Sequence, residues 1–452
     1  MAFSFSSHWY KSGAYSLLNR LVIVFFGFWN IFFMVRVMPV KDIGVWGLFL
    51  SVTSVLELLR NGFIRNPMIT HLVSAPSEDD REKIVTASWI LHTLLTIVTC
   101  IALYVGSGYL ADFWSAPEII ILFYVYIFRA IVLIPALQFE YLQQSQFNFK
   151  AIFWANVARI APVGIYILVK FLEVKYSGGV APTLYDIAVV QLLAAAASLA
   201  VGYFYLRKSP VIFPRIDWQS VRVLSRFGKY TLGTTISSMF IKSTDTWMIG
   251  RLISTVGVAM YNPALRISNL IEVPTLAVAS LAYPRVNKKM QDGGREGVQD
   301  LYIKSVSIIL AMMLPGIIPL YIFSDFIILT IFGPDYMPAA QILRVTIFFT
   351  LLIPFNRQFG TVMDALKRPK INFYLLVLMA VINIFFNYFF LKKFGTIGAA
   401  YGTLLSYVII FSINQLILYR LYGVNTYKVF PAILDWYRTG WSFVRAKMTE
   451  KG

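Results

Sequence analysis

Two stretches of the sequence decide the fold expected for this chain: YTLGTTISSMFIKSTDTWMIGRL at residues 230–252, and GVAMYNPALRISNLIEVPTLAVASLAY at 257–283. Each is long and apolar enough for a membrane-spanning helix. Away from its ends, each nevertheless carries two charges: Lys242 and Asp245 in the first, Arg266 and Glu272 in the second. Because a charge at the centre of a bilayer costs roughly 2.5 to 3.5 kcal/mol on insertion scales, it marks a functional site or a paired interior.

The composition extends this interpretation to the whole chain. Of 452 residues, 58% are hydrophobic and 14% are charged, and apolar runs recur along almost the entire length. The first run lacks a small-residue cleavage site, so we expect it to be retained as a helix. We therefore predict an all-α polytopic membrane protein. About twelve transmembrane helices are expected, at 14–37, 43–63, 85–108, 118–138, 151–171, 185–206, 230–252, 257–283, 301–324, 339–362, 371–391 and 396–419.

The lysines and arginines predict the orientation of these spans. If both termini are cytoplasmic, the cytoplasmic segments hold 26 of the 40 basic residues and the external loops hold seven. That asymmetry follows the positive-inside rule and supports an even number of spans.

Seven basic residues remain inside the predicted spans and away from the loop-proximal ends: Arg20, Arg129, Arg159, Lys242, Arg266, Arg344 and Arg357. Only Glu57, Asp245 and Glu272 lie at comparable depth, so positive charge is in excess. Single arginines of this kind can extend to the interface or bond backbone carbonyls. As a set, they favour a hydrated cavity that attracts an anionic substrate.

The basic, proline-containing segment 207–229 divides the spans six and six. We predict an N-terminal bundle at 1–206, a cytoplasmic linker at 207–229 and a C-terminal bundle at 230–424, arranged around a central cavity. Residues 425–452 combine aromatic and basic side chains, which is typical of an amphipathic helix on an anionic inner leaflet.

Several kinds of chemistry are disfavoured by what the sequence contains. The three histidines and the single Cys100 are scattered without ligand spacing, so we expect no metal site and no thiol nucleophile. No phosphate-binding loop of the G-x-x-x-x-G-K-[ST] type is present. We expect no catalytic residues, hence a transporter and not an enzyme.

Asn383 and Asn387 share one helical face and could bond across helices or to sugar hydroxyls.

At this point the sequence resembles a known family, the polysaccharide-export (Wzx-type) flippases of the multidrug, oligosaccharidyl-lipid and polysaccharide transporter superfamily. The resemblance covers essentially the whole chain. It is carried by RVMP at 36–39 with Gly44, by Gly250 and Arg251 with Gly257, Tyr261, Ala264 and Arg266, by GPDY at 333–336, by LKRPK at 366–370, and by Gly395 with GAA at 398–400.

The resemblance implies a function and its partners. Such a protein moves an undecaprenyl-pyrophosphate-linked oligosaccharide, a unit of O-antigen, capsule or exopolysaccharide, across the bacterial inner membrane by alternating access. We expect lipid-linked oligosaccharide and anionic inner-leaflet lipids as partners, and glycan polymerase and export machinery as further candidates. We expect no nucleic-acid partner, and a monomer. No cofactor is expected beyond a coupling sodium ion or proton.

The resemblance also implies site residues. Related peptidoglycan-precursor flippases carry a Tyr-x-x-Ala-x-Arg pattern that brings an arginine into the cavity, and Tyr261, Ala264 and Arg266 reproduce it. This chain lacks that group's two additional C-terminal helices, which favours oligosaccharide export over a peptidoglycan precursor. Our candidate substrate-binding residues are Arg20, Arg60, Arg65, Arg129, Arg159, Lys242, Arg266 and Arg357.

Glu57, Asp245 and Glu272 are the candidates for ion coupling or charge pairing, and Asp245 could simply neutralise Lys242 or an arginine.

Two other functions stay open at this stage. A cation-coupled multidrug exporter of the same superfamily is the first, although the arginine excess argues against it. A membrane-embedded glycan polymerase or ligase is the second, although such enzymes usually have a large external loop.

Overall fold

The computed structural model describes residues 7–206, 216–271, 273–366 and 368–449, and within these ranges it contains helices and no β-strand. The first helices are α1 (Ser7–Val37), α2 (Val40–Arg60), α3 (Asn66–Ser74), α4 (Glu78–Trp114), α5 (Ile119–Ser145), α6 (Phe149–Ser177) and α7 (Leu184–Leu206). They are followed by α8 (Trp218–Leu252), α9 (Thr255–Ile271), α10 (Val273–Ile322), α11 (Ser324–Phe332), α12 (Pro338–Ala365), α13 (Pro369–Phe394), α14 (Ile397–Tyr422) and α15 (Val429–Thr449).

Helices occupy all twelve predicted spans. Among the described residues, ten helical segments are long and apolar enough to cross a membrane. The two predicted spans outside these ten are 230–252 and 257–283, which carry Lys242, Asp245, Arg266 and Glu272. The sequence of α8 contains charged and hydroxyl residues among its apolar ones, and α9 has 17 residues. The expectation of an all-helical, multi-pass membrane protein is confirmed.

The second predicted span, 43–63, ends too early. The chain continues from α2 through a π-helical turn, Asn61–Arg65, directly into α3, so the helical path extends to Ser74. A π-turn holds more residues per turn than an α-helix and therefore rotates the helix that follows it. Such turns often occur at functional sites, and this one begins directly after Arg60 and ends at Arg65.

The segment 285–304, predicted to connect two spans, is also largely helical. It belongs to α10, in which Gly294 leaves helical geometry with φ 54° and ψ −132°. Glycine adopts such a conformation because it has no Cβ. The ninth apolar span consequently begins at Gly294, earlier than the predicted residue 301.

The chain divides into two compact units. The first contains Met1–Met239 with Ser254–Val256, and the second contains Phe240–Ile253 with Gly257–Gly452. In the first unit, α6 packs against α1 and α7, and α5 packs against α4 and α7. In the second unit, α12 packs against α10 and α14, and α13 packs against α14. The predicted linker at 207–229 stays a prediction, since 207–215 lie outside the described residues.

The C-terminal helix α15 packs on the second unit. Val429 and Ile433 are buried in a cluster with side chains of α10 and α12. The Trp436 indole donates to Ser307 Oγ at 3.0 Å, and the Tyr437 hydroxyl donates to the Ala311 carbonyl at 2.7 Å. The opposite side of α15 exposes Phe430, Leu434 and Trp441. The helix is therefore amphipathic, with its inner face fixed to α10.

Candidate functional site

A buried carboxylate, Asp245 of α8, lies at the centre of a polar cluster in the second unit. It is 4% exposed. Its Oδ2 accepts hydrogen bonds from the Tyr261 hydroxyl of α9 at 2.6 Å and from Thr403 Oγ1 of α14 at 2.8 Å. Its Oδ1 accepts from Asn387 Nδ2 of α13 at 2.6 Å. Four helices thus contribute to the surroundings of one charged group.

A second layer of side chains orients these donors. Asn383 Nδ2 donates to Thr403 Oγ1 at 2.9 Å, and Asn387 Nδ2 also approaches Asn383 Oδ1 at 3.2 Å. The predicted common face of the two asparagines is therefore confirmed, and they bond across helices. Asn387 Oδ1 is buried and has no hydrogen-bond partner among the residues that the structure describes. It is an acceptor available to a cation or a donor at the cluster.

Close packing of α13 and α14 keeps the cluster compact. A Cβ built on Gly402 would lie 2.2 Å from Asn387 Oδ1 and 2.9 Å from the Asn387 backbone nitrogen. A residue without a Cβ is thus required at 402 for Asn387 to keep its hydrogen bond to Asp245.

We expect the Gly402→Ala substitution to displace Asn387, because the added methyl group overlaps both its side chain and its backbone. Overpacking of this kind costs about 1 to 3 kcal/mol. The measurement is the thermal midpoint of the detergent-solubilised protein. Gly316→Ala in α10 is the matched control, since no described atom lies within 4 Å of a Cβ built on Gly316. Equal midpoints for the two variants would contradict the packing argument.

The cluster contains one negative charge and several neutral oxygens. Burying an isolated carboxylate is costly unless it is hydrogen-bonded or paired. The hydrogen bonds from Tyr261, Thr403 and Asn387 supply part of this compensation. A single monovalent cation, or a proton on the carboxylate, would balance the charge. The described residues contain no group of three or more His, Cys, Asp or Glu side chains that could hold a multivalent metal.

The alternative that Asp245 neutralises Lys242 stays a prediction, because the Lys242 side chain lies outside the described residues. Glu272 lies outside them as well. Among the side chains that are described, no basic residue forms an ion pair with Asp245.

A different charged cluster lies in the first unit. Arg129 of α5 bonds Glu57 of α2, with Nη1 to Oε1 at 2.9 Å. Arg159 of α6 pairs with Glu140 of α5 at 3.3 Å and also contacts Asn156. The Glu57 carboxylate interacts electrostatically with Arg60 and Arg159 besides Arg129.

Two further arginines border this cluster. Arg60 is 2% exposed, and its guanidinium approaches the Ala130 carbonyl and the Tyr126 hydroxyl at 3.5 Å, the outer limit of a hydrogen bond. Arg65 donates twice to Gln144 Oε1, from Nε at 3.0 Å and from Nη2 at 2.8 Å. Both partners of Arg60 and the partner of Arg65 are neutral, so positive charge exceeds negative charge in the described part of this cluster.

The other predicted arginines lie on α9, α12 and α1. Arg266 is partly buried on α9, and no described residue forms a hydrogen bond or ion pair with its guanidinium. Arg357 is partly buried on α12, and Arg20 is exposed on α1. Arg344, in the second turn of α12, pairs with Asp325 in the first turn of α11. Arg344 thus has an acidic partner, whereas no described residue pairs with Arg266.

Sequence reasoning missed Thr403 and Gln144. Neither lies in a motif, and neither carries a charge that would be unusual in a membrane helix. Only their contacts with Asp245 and Arg65 identify them.

Comparison with known families gives one match that covers more than half of the chain. The family described as "Polysaccharide biosynthesis protein" matches residues 33–341.

Individual relatives share a low sequence identity with this chain. "Probable low-salt glycan biosynthesis flippase Agl15" of Haloferax volcanii is 24% identical over 218 residues, which are 48% of this chain and 46% of that relative. The match therefore spans about half the length of that relative. "Lipopolysaccharide biosynthesis protein WzxC" of Escherichia coli K12 is 21% identical over 419 residues, which are 90% of this chain and 80% of that relative.

Solved structures share the fold. An inward-facing multidrug resistance MATE family transporter of the MOP superfamily superposes with a TM-score of 0.72 at 16% identity, covering 88% of this chain and 94% of that one. The lipid II flippase MurJ, in an inward closed conformation, superposes with a TM-score of 0.69 at 14% identity, covering 94% and 90%.

Proposed function

The chain belongs to the polysaccharide biosynthesis protein family, and we propose that it is a flippase for undecaprenyl-pyrophosphate-linked oligosaccharide that works by alternating access. This membership agrees with the resemblance to polysaccharide-export flippases found in the sequence. The observation that carries the proposal is the excess of arginine in the first unit, where Arg60, Arg65, Arg129 and Arg159 accompany only Glu57 and Glu140 among the described acidic contacts.

These arginines suit an anionic substrate. A guanidinium presents a rigid set of donors that matches phosphate or carboxylate oxygens, and it stays charged in a partly buried site. The pyrophosphate and any acidic sugars are the groups we expect them to hold. Arg266, Arg357, Arg20 and Lys242 complete the proposed binding set. Each contact must differ in strength between the two access states, since only a differential affinity shifts the equilibrium.

Asp245 is the proposed coupling site. A sodium ion would find one carboxylate there, together with the Asn387 Oδ1 that lacks a described partner and the Thr403 hydroxyl. A proton would instead reside on the carboxylate itself. Glu57 is the second candidate, although its bond to Arg129 favours a charge-pairing role, and Glu272 is the third.

We place the protein in the bacterial inner membrane with both termini in the cytoplasm, following the distribution of basic residues. The exposed aromatic and basic side of α15 would then contact anionic lipids of the inner leaflet. Glycan polymerase and export machinery are the proposed protein partners, no nucleic-acid partner is proposed, and the transporter is proposed to act as a monomer without enzymatic activity.

A cation-coupled multidrug exporter is the second candidate, because the chain shares its fold with a multidrug transporter. Such a protein needs acidic and aromatic groups for cationic drugs, whereas the described cluster in the first unit carries excess positive charge. Rescue of drug resistance in an efflux-deficient host would favour this alternative.

The decisive experiment locates the lipid-linked glycan. In cells that lack this protein, we expect the glycan to accumulate in the cytoplasmic leaflet, where an externally added glycan-modifying enzyme does not reach it. Reintroducing the protein should return the glycan to the outer leaflet. Unpolymerised or unligated glycan at the outer face of the deletion strain would instead indicate the polymerase or ligase considered above, and an unchanged distribution would overturn the flippase assignment.

A further inference from the structure

A groove of about 870 Å³ lies in the first unit beside the first turns of α8. It is lined by His71 of α3 and by α8 side chains that include Trp218, Arg222, Arg226 and Phe227. None of these residues takes part in the arginine cluster or in the Asp245 cluster. The groove is therefore a separate feature of the molecule.

The two sides of this part of α8 differ in what they contact. Leu224 is 2% exposed and packs, together with Val221, against side chains of α3 and α4. Gly228 lies so close to the Phe63 carbonyl that a built Cβ would be 2.6 Å from its oxygen. On the other side, Trp218, Arg222 and Arg226 are spaced four residues apart and form one exposed stripe. One side of the helix thus packs on the first unit, whereas the side with Arg222 and Arg226 is exposed.

The charge of the groove is positive. Neither Arg222 nor Arg226 forms an ion pair with a described residue, and no acidic side chain is among the described residues that line the groove. The nearby Asp217 caps the helix instead, accepting from the Ser220 backbone nitrogen at 2.8 Å and from its hydroxyl at 2.6 Å. In the sequence, 207–229 contains six basic residues against this single aspartate. The groove therefore carries positive charge that no described acidic side chain neutralises, and this charge favours an anionic ligand.

Apolar side chains lie beside the two arginines. Trp218 is 68% exposed, Val223 is 44% exposed and Phe227 is 42% exposed. An inorganic anion would contact the guanidinium groups and leave these side chains in water. A phosphate ester with hydrocarbon chains would cover both, and exposed tryptophan with juxtamembrane arginine is the combination found at a membrane interface.

We propose that this groove binds one anionic glycerophospholipid, with its phosphodiester on Arg222 and Arg226 and its acyl chains against Trp218, Val223 and Phe227. The proposal does not depend on the transported substrate. It concerns helix α8, whose residues 218–239 belong to the first unit and whose residues 240–252 belong to the second unit. A bound lipid would stabilise the first turns of that helix on the first unit.

The test uses the full-length protein in phosphatidylcholine nanodiscs and measures quenching of tryptophan fluorescence by phosphatidylglycerol with brominated acyl chains. The chain has ten tryptophans, so the signal from Trp218 is the difference between the wild type and Trp218→Phe. We expect the Arg222→Gln/Arg226→Gln double variant to bind the brominated lipid about 30-fold more weakly, since each basic residue near an anionic surface contributes about a fivefold factor. Arg368→Gln/Lys370→Gln removes two exposed charges elsewhere and should leave quenching unchanged.

Three results would overturn the proposal. Equal quenching of Trp218 by brominated phosphatidylcholine would show that no anionic lipid is selected. Displacement of the brominated lipid by inorganic phosphate alone would show a site for a free anion. Unchanged binding by the double variant would show that Arg222 and Arg226 do not hold the headgroup.

Discussion

Replacing Arg266 by alanine is expected to lower export of the lipid-linked glycan about 100-fold while the protein stays folded in the membrane. Its guanidinium forms no hydrogen bond or ion pair with any described residue, so its removal breaks no described contact. A charge-assisted hydrogen bond contributes about 1.5 to 3 kcal/mol, and loss of one such contact with the substrate accounts for the effect. The measurement is surface glycan in a strain whose only copy of the gene carries the substitution.

Two further variants test whether the effect is specific to the Arg266 guanidinium. Arg266→Lys keeps the charge and loses the planar fork, so it should retain part of the activity if phosphate is bound through several donors. Arg344→Ala is the matched control: it removes an arginine of the same unit that is already paired with Asp325 and partly exposed. Normal surface glycan in the Arg266→Ala strain would remove Arg266 from the site.

Replacing Asp245 by asparagine is expected to abolish the dependence of transport on a sodium or proton gradient, with little loss of stability. The two hydroxyl groups that donate to Oδ2, from Tyr261 and Thr403, can rotate and accept from the new amide. The fold therefore keeps its hydrogen bonds, whereas the negative charge that a cation or proton would balance is gone. The measurement is glycan translocation in vesicles as the sodium concentration and the pH gradient are varied separately.

Asp364→Asn provides the control for Asp245. Asp364 of α12 is a partly buried carboxylate of the second unit, and among the described residues it accepts only from the Asn372 amide, at 3.3 Å to each oxygen. Its substitution should leave the ion dependence unchanged. The coupling proposal fails if Asp245→Asn responds to both gradients as the wild type does. Asp245→Ala should instead destabilise the protein, because three buried donors would lose their acceptor at a cost of about 1 to 3 kcal/mol each.

The positions of the helices could be predicted from the sequence because the signal is local. A run of about twenty apolar residues must form backbone hydrogen bonds within itself when it enters a bilayer. The helix ends were less accurate where the chain stays helical outside the apolar run, as in the path through Asn61–Arg65 to Ser74. Hydropathy does not report a helix that continues beyond the apolar run.

The candidate site was only partly predictable. Unusual charges such as Arg129, Glu57 and Asp245 are visible in the sequence because lipid excludes them. Their partners are not visible, since an ion pair such as that of Arg129 with Glu57 joins residues 72 positions apart. Thr403 is an ordinary residue for a membrane helix and gave no signal at all.

The sequence by itself determined that this chain is helical, crosses the membrane many times and carries more positive than negative charge within its spans. These properties follow from composition and from the cost of exposing charge to lipid. Tertiary structure decided that Asp245 receives hydrogen bonds from Asn387 and Thr403, which are 142 and 158 residues away in the chain. Helical periodicity specifies which side chains share a face, but the packing of α8, α9, α13 and α14 determines which faces meet.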